Sequence, residues 1–263
     1  MRIVYVVPGP MSQTSLGTAE LERRLQKLRG WAARDTEVEI VDVATGPASI
    51  ESAYEEYLSV PATVAKMVEL EAAGYDAAIL GCAGDPGLDA MREMTSRLYI
   101  AGPAESSEMV AAMLGHRFSI VTIAQEVVPA TWHQVQRAGV ATKLASVRVI
   151  DTPVLSLGEQ REETVAKVIG AGRACIEQDG CDTIVLGCMS LGFLDLADEV
   201  SQVLGVPVVN PSLVALKMAE AMAGAHLVHS KRAYMYPPKL TRGYVHNISE
   251  LLVGTTAADG ARG

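Results

Sequence analysis

The stretch Tyr75 to Asp89, YDAAILGCAGDPGLD, recurs 106 positions later as Cys181 to Asp195, CDTIVLGCMSLGFLD. In that register Asp76 meets Asp182, Leu80 meets Leu186, Gly81 meets Gly187, Cys82 meets Cys188 and Asp89 meets Asp195. Each copy is a short apolar run, AAIL or TIVL, entered from an Asp and left through Gly-Cys. A run of this kind, bounded by turn residues, fits a strand buried on both faces of a parallel sheet. The cysteine then stands at the carboxyl end of a strand, where open α/β sheets bind their ligands. A helix directly after it would bring free N–H groups and a positive dipole end to the sulfur and favour the thiolate.

The rest of the chain repeats around these two marks. Residues 2–7, RIVYVV, form a β-branched run ended by Pro8-Gly9-Pro10, and 116–123, HRFSIVTI, opens a second round in the same way. In the first round the pattern predicts a helix from Thr18 to about Ala33 on Leu21, Leu25, Leu28 and Trp31, then a strand at Val38 to Val43. A loop and short helix follow at 49–57, and a separate helix from Pro61 to Ala73 has Pro in its first turn and Gly74 at its end. After Cys82 come a helix opened by Pro86 and running to Met94, a strand at Tyr99 to Ala101, and a helix from Gly102 to about Gly115. The second round predicts helix 126–138, strand 147–150, helix 159–178, the second Gly-Cys strand, helix 193–204 and strand 206–209. Asn210-Pro211-Ser212 then stands where Gly102-Pro103-Ala104 stood before.

Alternating strands and helices give each half a parallel sheet with right-handed crossovers. Two halves of one plan pack about an approximate two-fold axis, which sets the two cysteines face to face across a cleft. A lone Cys at the end of a buried strand is commonly a small apolar filler. Two at the same place in two repeats point to a shared task. One thiolate and one thiol on opposite faces of a carbon suit removal of a proton from one side and delivery of a proton to the other. A thiol, with an ordinary pKa of about 8.5, lies close enough to neutrality for backbone donors to bring it into range. The amides of Ala83-Gly84 and Met189-Ser190 are the expected donors to an enolate oxygen.

Composition closes other routes. A net charge of −9 without a dense basic run argues against a nucleic-acid partner. Arg23, Arg24, Lys27 and Arg29, at helical spacing among leucines, read as a solvated face. No apolar run reaches the about 20 residues of a membrane span, and the sequence opens on a strand rather than a leader, so a cytoplasmic location without membrane contact is expected. Four cysteines without CxxC pairs or neighbouring His fit neither a disulfide framework nor a zinc site, and Cys175 and Cys181 are assigned to packing. The histidines at 116, 133, 226, 229 and 246 show no metal spacing, and His226 and His229 fall on an expected surface segment. The partner implied is a small-molecule substrate, and the many apolar helices leave room for a homo-oligomer interface.

These residues carry a resemblance. GPASIE at 46–51, GCAGDPGLDAMRE at 81–93, HRFSIVT at 116–122, IVLGC at 184–188 and SKRAYMYPP at 230–238 resemble the aspartate/glutamate/hydantoin racemase superfamily, most of all its hydantoin and allantoin racemase branch. The resemblance spans about residues 1–240. It implies two flavodoxin-like domains with pseudo-two-fold symmetry, neither pyridoxal phosphate nor metal, and Cys82 and Cys188 as acid and base on either side of a ring C5 position. It also implies interleaved domains: 1–101 with 207–245, then 102–206. The tail at 246–263, whose last stretch GTTAADGARG is small and polar, is expected to be partly disordered. Substrate contacts fall to Pro8, Gly9, Ser49, Ala83, Gly84, Asp85, Glu105, Thr122, Met189 and Ser190, with Glu105 equally readable as a first-turn carboxylate and Thr122 as a plain strand residue.

The sequence departs from that branch in its substrate clamp. Val7, Pro8 and Gly9 replace a usual Asn-Pro-Asn, Ile123 replaces a frequent Thr, Met189-Ser190-Leu191 replaces a frequent Ala-Gly-Met, and Asn210 stands where an acid is common. Each buried polar atom left unpaired costs about 1–3 kcal/mol, so such changes alter which substrate the site satisfies. The expected activity is racemisation of a 5-substituted hydantoin or an allantoin-like compound. The alternatives are another superfamily reaction, amino-acid racemisation, cis–trans isomerisation or decarboxylation, or a non-catalytic binder of a small ligand.

Overall fold

Backbone groups in an apolar run can be satisfied away from water only by neighbouring strands, and the eight runs of this chain pair accordingly. The computed structural model describes residues 1–245. In the first half, β1 (Arg2–Val7), β2 (Glu37–Asp42), β3 (Ala77–Leu80) and β4 (Tyr99–Ala101) form a parallel sheet in the order β2-β1-β3-β4. In the second, β5 (Phe118–Thr122), β6 (Leu144–Val149), β7 (Thr183–Leu186) and β8 (Val208–Val209) repeat that order as β6-β5-β7-β8. The two Gly-Cys strands, β3 and β7, are buried throughout and hold equivalent central places. Ten helices among the described residues flank the sheets: α1 (Gly17–Trp31), α2 (Ala53–Ala72), α3 (Leu88–Met94), α4 (Pro103–Leu114), α5 (Val128–Arg137), α6 (Arg161–Glu177), α7 (Met189–Phe193), α8 (Ala197–Leu204), α9 (Pro211–Gly224) and α10 (Pro238–Thr241). The α/β architecture of two similar parallel sheets is the one expected.

The two halves exchange helices. α4, which leaves the first sheet, packs Ala111 against Phe118, Ile120 and Val185 of the second, while α9 returns to lay Ala215, Leu216 and Ala219 under Ile3, Tyr5 and Ile79 of the first. β8 pairs with β7 in the second sheet, and the return crossing begins at Asn210.

Three local expectations change for physical reasons. α2 runs unbroken through Pro61 instead of starting there: Ser52 accepts from the Glu55 N–H at its amino end, and Ser59, Thr63, Val64, Met67 and Leu70 bury the turns on either side of an exposed proline. The burial of that face outweighs the one lost backbone donor. The helix expected at 193–204 begins only at Ala197, after the separate short helix Met189–Phe193, because Asp195 sits at φ +54, in the left-handed region that interrupts a helix. Likewise α3 starts at Leu88 rather than at Pro86, after Gly87 at φ +67.

The segment after α9 is not merely surface. His229 stacks on Tyr99 with ring centroids 4.7 Å apart and bonds the Ile100 N–H on the free edge of β4, while Lys231 donates to the carbonyls of Arg92, Glu93 and Thr95 at the end of α3. Covering the edge in this way satisfies groups that would otherwise invite pairing with another strand. Burial pushes the His229 ring down to about 4, so it is neutral and can accept that bond. Among the described residues no helix is long and apolar enough to cross a membrane. His246 and the tail expected to be partly disordered lie outside the described residues.

Candidate active site

In each sheet the strand order reverses between its two central strands, and there the loops splay apart to leave a crevice at the carboxyl ends. The loops after β1, β3, β5 and β7 meet at one such place. They wall a cavity of about 110 Å³ with Val7, Pro8, Gly9 and Met11; Gly81 to Gly84; Thr122 and Ile123; and Gly187 to Ser190. Cys82 reaches it from the first sheet and Cys188 from the second.

The glycine before each cysteine has a steric reason. A Cβ on Gly81 would lie 2.6 Å from the Val6 carbonyl oxygen, and one on Gly187 would lie 2.8 Å from Ile120 Cγ2 and 2.9 Å from Thr122 Cβ. Only a bare backbone lets β3 and β7 turn so tightly against β1 and β5.

The surroundings of the two sulfurs differ. The Gly84 N–H points at Cys82 Sγ, 3.5 Å away, and α3 begins six residues further on, so no helix end adjoins this cysteine. Cys188 is itself the residue that opens α7, and the N–H groups of Leu191 and Ser190 face its sulfur. The amides expected to await an enolate oxygen are thus turned largely toward the thiols. Burial pushes Cys82 up to about 12, opposed by Gly84 and assisted by the negative charges of Cys188, Asp85 and Glu56. Burial also raises Cys188, but Leu191, Ser190 and the Arg24 cation all oppose it.

Of the residues assigned to substrate contact, Pro8, Gly9, Ser49, Ala83, Gly84, Thr122, Met189 and Ser190 line the cavity. Ser49 donates to Glu51 Oε1 at 2.7 Å, and Thr122 donates to the Gly187 carbonyl at 3.4 Å. The structure does not bring Asp85 and Glu105 to that wall. The Asp85 carboxylate accepts the N–H groups of Ala104 (3.2 Å) and Glu105 (2.9 Å) at the start of α4, and Glu105 pairs with Arg92, all beside a separate cleft shared with Tyr234. Their place behind the Cys82 loop follows from the Asp85 N–H, which donates to the Cys82 carbonyl at 3.1 Å.

Among the wall residues unread in the sequence, three carry charged or amide side chains. Arg24, expected on a solvated face, is 3% exposed and lines the cavity. Its spacing of three from Leu21 and four to Leu28 places it on the buried stripe of α1, and that spacing was the available signal. Glu56 comes from the inner face of α2. Gln134 of α5 donates to the Ala83 carbonyl at 3.4 Å and to Glu108 Oε1 at 3.1 Å; nothing local in the sequence marks it.

Glu108 itself is buried, and its Oε2 has no hydrogen-bond partner among the described residues. Burial raises its carboxyl to about 8, so the folded state holds a proton that the unfolded chain releases near 4.5. Its contribution to stability is complete below about pH 4.5 and fades as pH rises through 8. Glu108→Gln, which keeps an acceptor for Gln134, is expected to match wild type near pH 5 and exceed it in thermal midpoint above pH 8. Parallel melting curves across that range check this, and equal pH slopes for the two proteins contradict it.

A duplicated α/β frame with one cavity walled from both halves is the plan of a two-domain enzyme that works in its cleft. The family model for Asp/Glu/hydantoin racemases matches residues 12–219, and the chain belongs to that family. It is a racemase, and so an isomerase. It is similar to the hydantoin racemase of Pseudomonas sp. (strain NS671), with 35% identity over 209 residues, 79% of this chain and 83% of that protein. Against the hydantoin racemase of Rhizobium meliloti the identity is 38% over 195 residues, 73% of this chain and 78% of that one. Among solved structures, the allantoin racemase from Klebsiella pneumoniae matches with a TM-score of 0.79 at 30% identity, covering 90% of this chain and 94% of the other.

Proposed function

We propose that this racemase inverts the C5 stereocentre of a 5-substituted hydantoin, with Cys82 and Cys188 as the acid/base pair and no cofactor. The observation that carries the reading is the delivery of two thiols, one from each sheet, to a single cavity. In one direction a thiolate takes the C5 proton, the electron pair of the broken C–H bond delocalises into the adjacent ring carbonyl, and the other thiol gives its proton to the opposite face. The sulfurs end with their protonation states exchanged, and the reverse reaction uses them the other way round. General acid–base catalysis of this kind contributes about 10²–10⁴-fold.

The lining favours a hydantoin with an apolar substituent. Met11, Ile50, Ala53, Val127, Ala130 and Val154 offer no side-chain hydrogen bond, and Val7-Pro8-Gly9 supplies none either. Arg24, Ser52, Glu56, Thr131 and Gln134 add polar groups elsewhere in the cavity, so the ureido group of allantoin is disfavoured where it meets the apolar side, at about 1–3 kcal/mol for each donor or acceptor left unpaired there.

The test is polarimetry in D₂O on 5-benzylhydantoin, 5-isobutylhydantoin and allantoin. The expected result is decay of rotation with one solvent deuteron gained at C5 for both hydantoins, and at least tenfold slower decay for allantoin. Faster turnover of allantoin would overturn the substrate assignment, and unchanged rotation with all three would overturn the chemistry.

A further inference from the structure

We infer that Arg24 makes the two cysteines unequal before substrate arrives: it is the positioning residue that makes Cys188 the first of the two thiols to give up its proton. The inference rests on the two-cysteine reading above and adds to it which sulfur ionises first.

The geometry runs from α1 to α7. Arg24 Nε donates to Glu20 Oε1 at 2.6 Å, and its Nη2 donates to Ser190 Oγ at 2.9 Å, two residues beyond Cys188. Its guanidinium lies over the Phe193 ring, 4.9 Å from the centroid. A buried cation held at two nitrogens cannot swing away to solvent. Glu20 does not cancel it, because Arg23 binds the same carboxylate at 2.6 and 2.7 Å, so two guanidiniums share one negative charge. The surplus positive charge faces Cys188.

The other groups around the pair point the same way. Cys188 faces Arg24 from α1, the N–H groups of Ser190 and Leu191 from α7, and Cys82 from the loop after β3. Cys82 faces Asp85 from its own loop, Glu56 from α2 and Cys188. Tyr5, buried on β1 beneath both, is raised by burial and stays protonated, adding no charge. One sulfur therefore sits beside a cation and the other beside two carboxyl groups.

The consequence is a handed enzyme acting on a symmetric equilibrium. Two enantiomers have equal free energy, so kcat/KM must be the same in both directions. The inequality of the sulfurs appears instead in kcat and KM separately, and in the titration of the free enzyme.

The test is alkylation of the substrate-free full chain by iodoacetamide from pH 5 to 10, with each labelled cysteine identified by peptide mass. Cys188 is expected to react with a lower pH midpoint than Cys82. Arg24→Met should raise the Cys188 midpoint by about one unit, a tenfold loss of labelling at fixed pH below it, and Arg24→Lys should restore most of it. A merely structural arginine would not move that midpoint in a chain that circular dichroism shows to be folded. If Arg24→Met does not fold, Arg24→Gln decides: an amide can still bond Glu20 and Ser190 but carries no charge, so the same midpoint should shift in the same direction. An unchanged Cys188 midpoint in the folded variant, or Cys82 labelled first in the wild type, overturns the inference. Failure of the two-cysteine reading looks different, since there a single cysteine variant keeps full racemisation whatever the labelling order.

Discussion

Cys188→Ser is expected to lower racemisation by about 10²–10⁴-fold, and Cys82→Ser by a similar factor, because a serine hydroxyl is far too weak an acid to carry a proton onto or off a ring carbon at neutral pH. The two losses should not look alike under isotope exchange. With Cys82 replaced, the Cys188 thiolate can still lift the C5 proton of the enantiomer that presents it and return a deuteron to the same face. That variant should exchange one enantiomer without inverting it, and Cys188→Ser should exchange only the mirror form, more slowly, since burial and nearby carboxyl groups hold Cys82 up at about 12. The double variant should do neither. Mass spectrometry of each separated enantiomer after incubation in D₂O reads all three outcomes. Wild-type racemisation in either single variant would end the two-cysteine scheme.

What the sequence made legible was decided locally. A strand buried on both faces must be apolar from end to end, so AAIL and TIVL announced β3 and β7, and the cysteine after each could be placed without knowing the tertiary fold. The order of elements followed from alternation, and the motifs at 81–93 and 184–188 carried the family. What stayed hidden was decided by neighbours distant in sequence. Pro61 marks a helix start in a free peptide, but packing of Val64, Met67 and Leu70 holds α2 together across it. The family motif at 81–93 implies Asp85 as a ligand for substrate; only the return of α4 to that loop shows its oxygens spent on the N–H groups of Ala104 and Glu105. Arg24 was misread because charge is a strong prior for exposure. An arginine on an apolar stripe keeps a long aliphatic stem to bury, and here its head finds a carboxylate, a hydroxyl and a ring face.

Phe193→Ala is expected to cost about 3–5 kcal/mol of stability and, independently, most of the activity of the molecules that remain folded. Phe193 belongs to α7, which follows β7 of the second sheet, yet its ring is fully buried in the core of the first. It meets Tyr5 edge-on at 5.5 Å and stacks on Trp31 at 5.7 Å, while Arg23 Nη1 donates to its backbone carbonyl at 2.9 Å. That anchor fixes the turn of helix that presents Cys188 and Ser190 to the cavity, and the ring also floors Arg24. Phe118, the chain's other phenylalanine, is just as buried but sits on β5 in the second core, away from the cavity wall. Phe118→Ala should therefore lose stability on the same scale and keep racemisation near wild type per folded molecule. Denaturant midpoints and rates measured on the same preparations separate the two effects. Equal retention of activity in both variants would mean that α7 holds Cys188 in place without its anchor in the first half. In that case the helix dipole and the second-half core alone would orient the sulfur, and the interleaving of the halves would serve stability rather than the site.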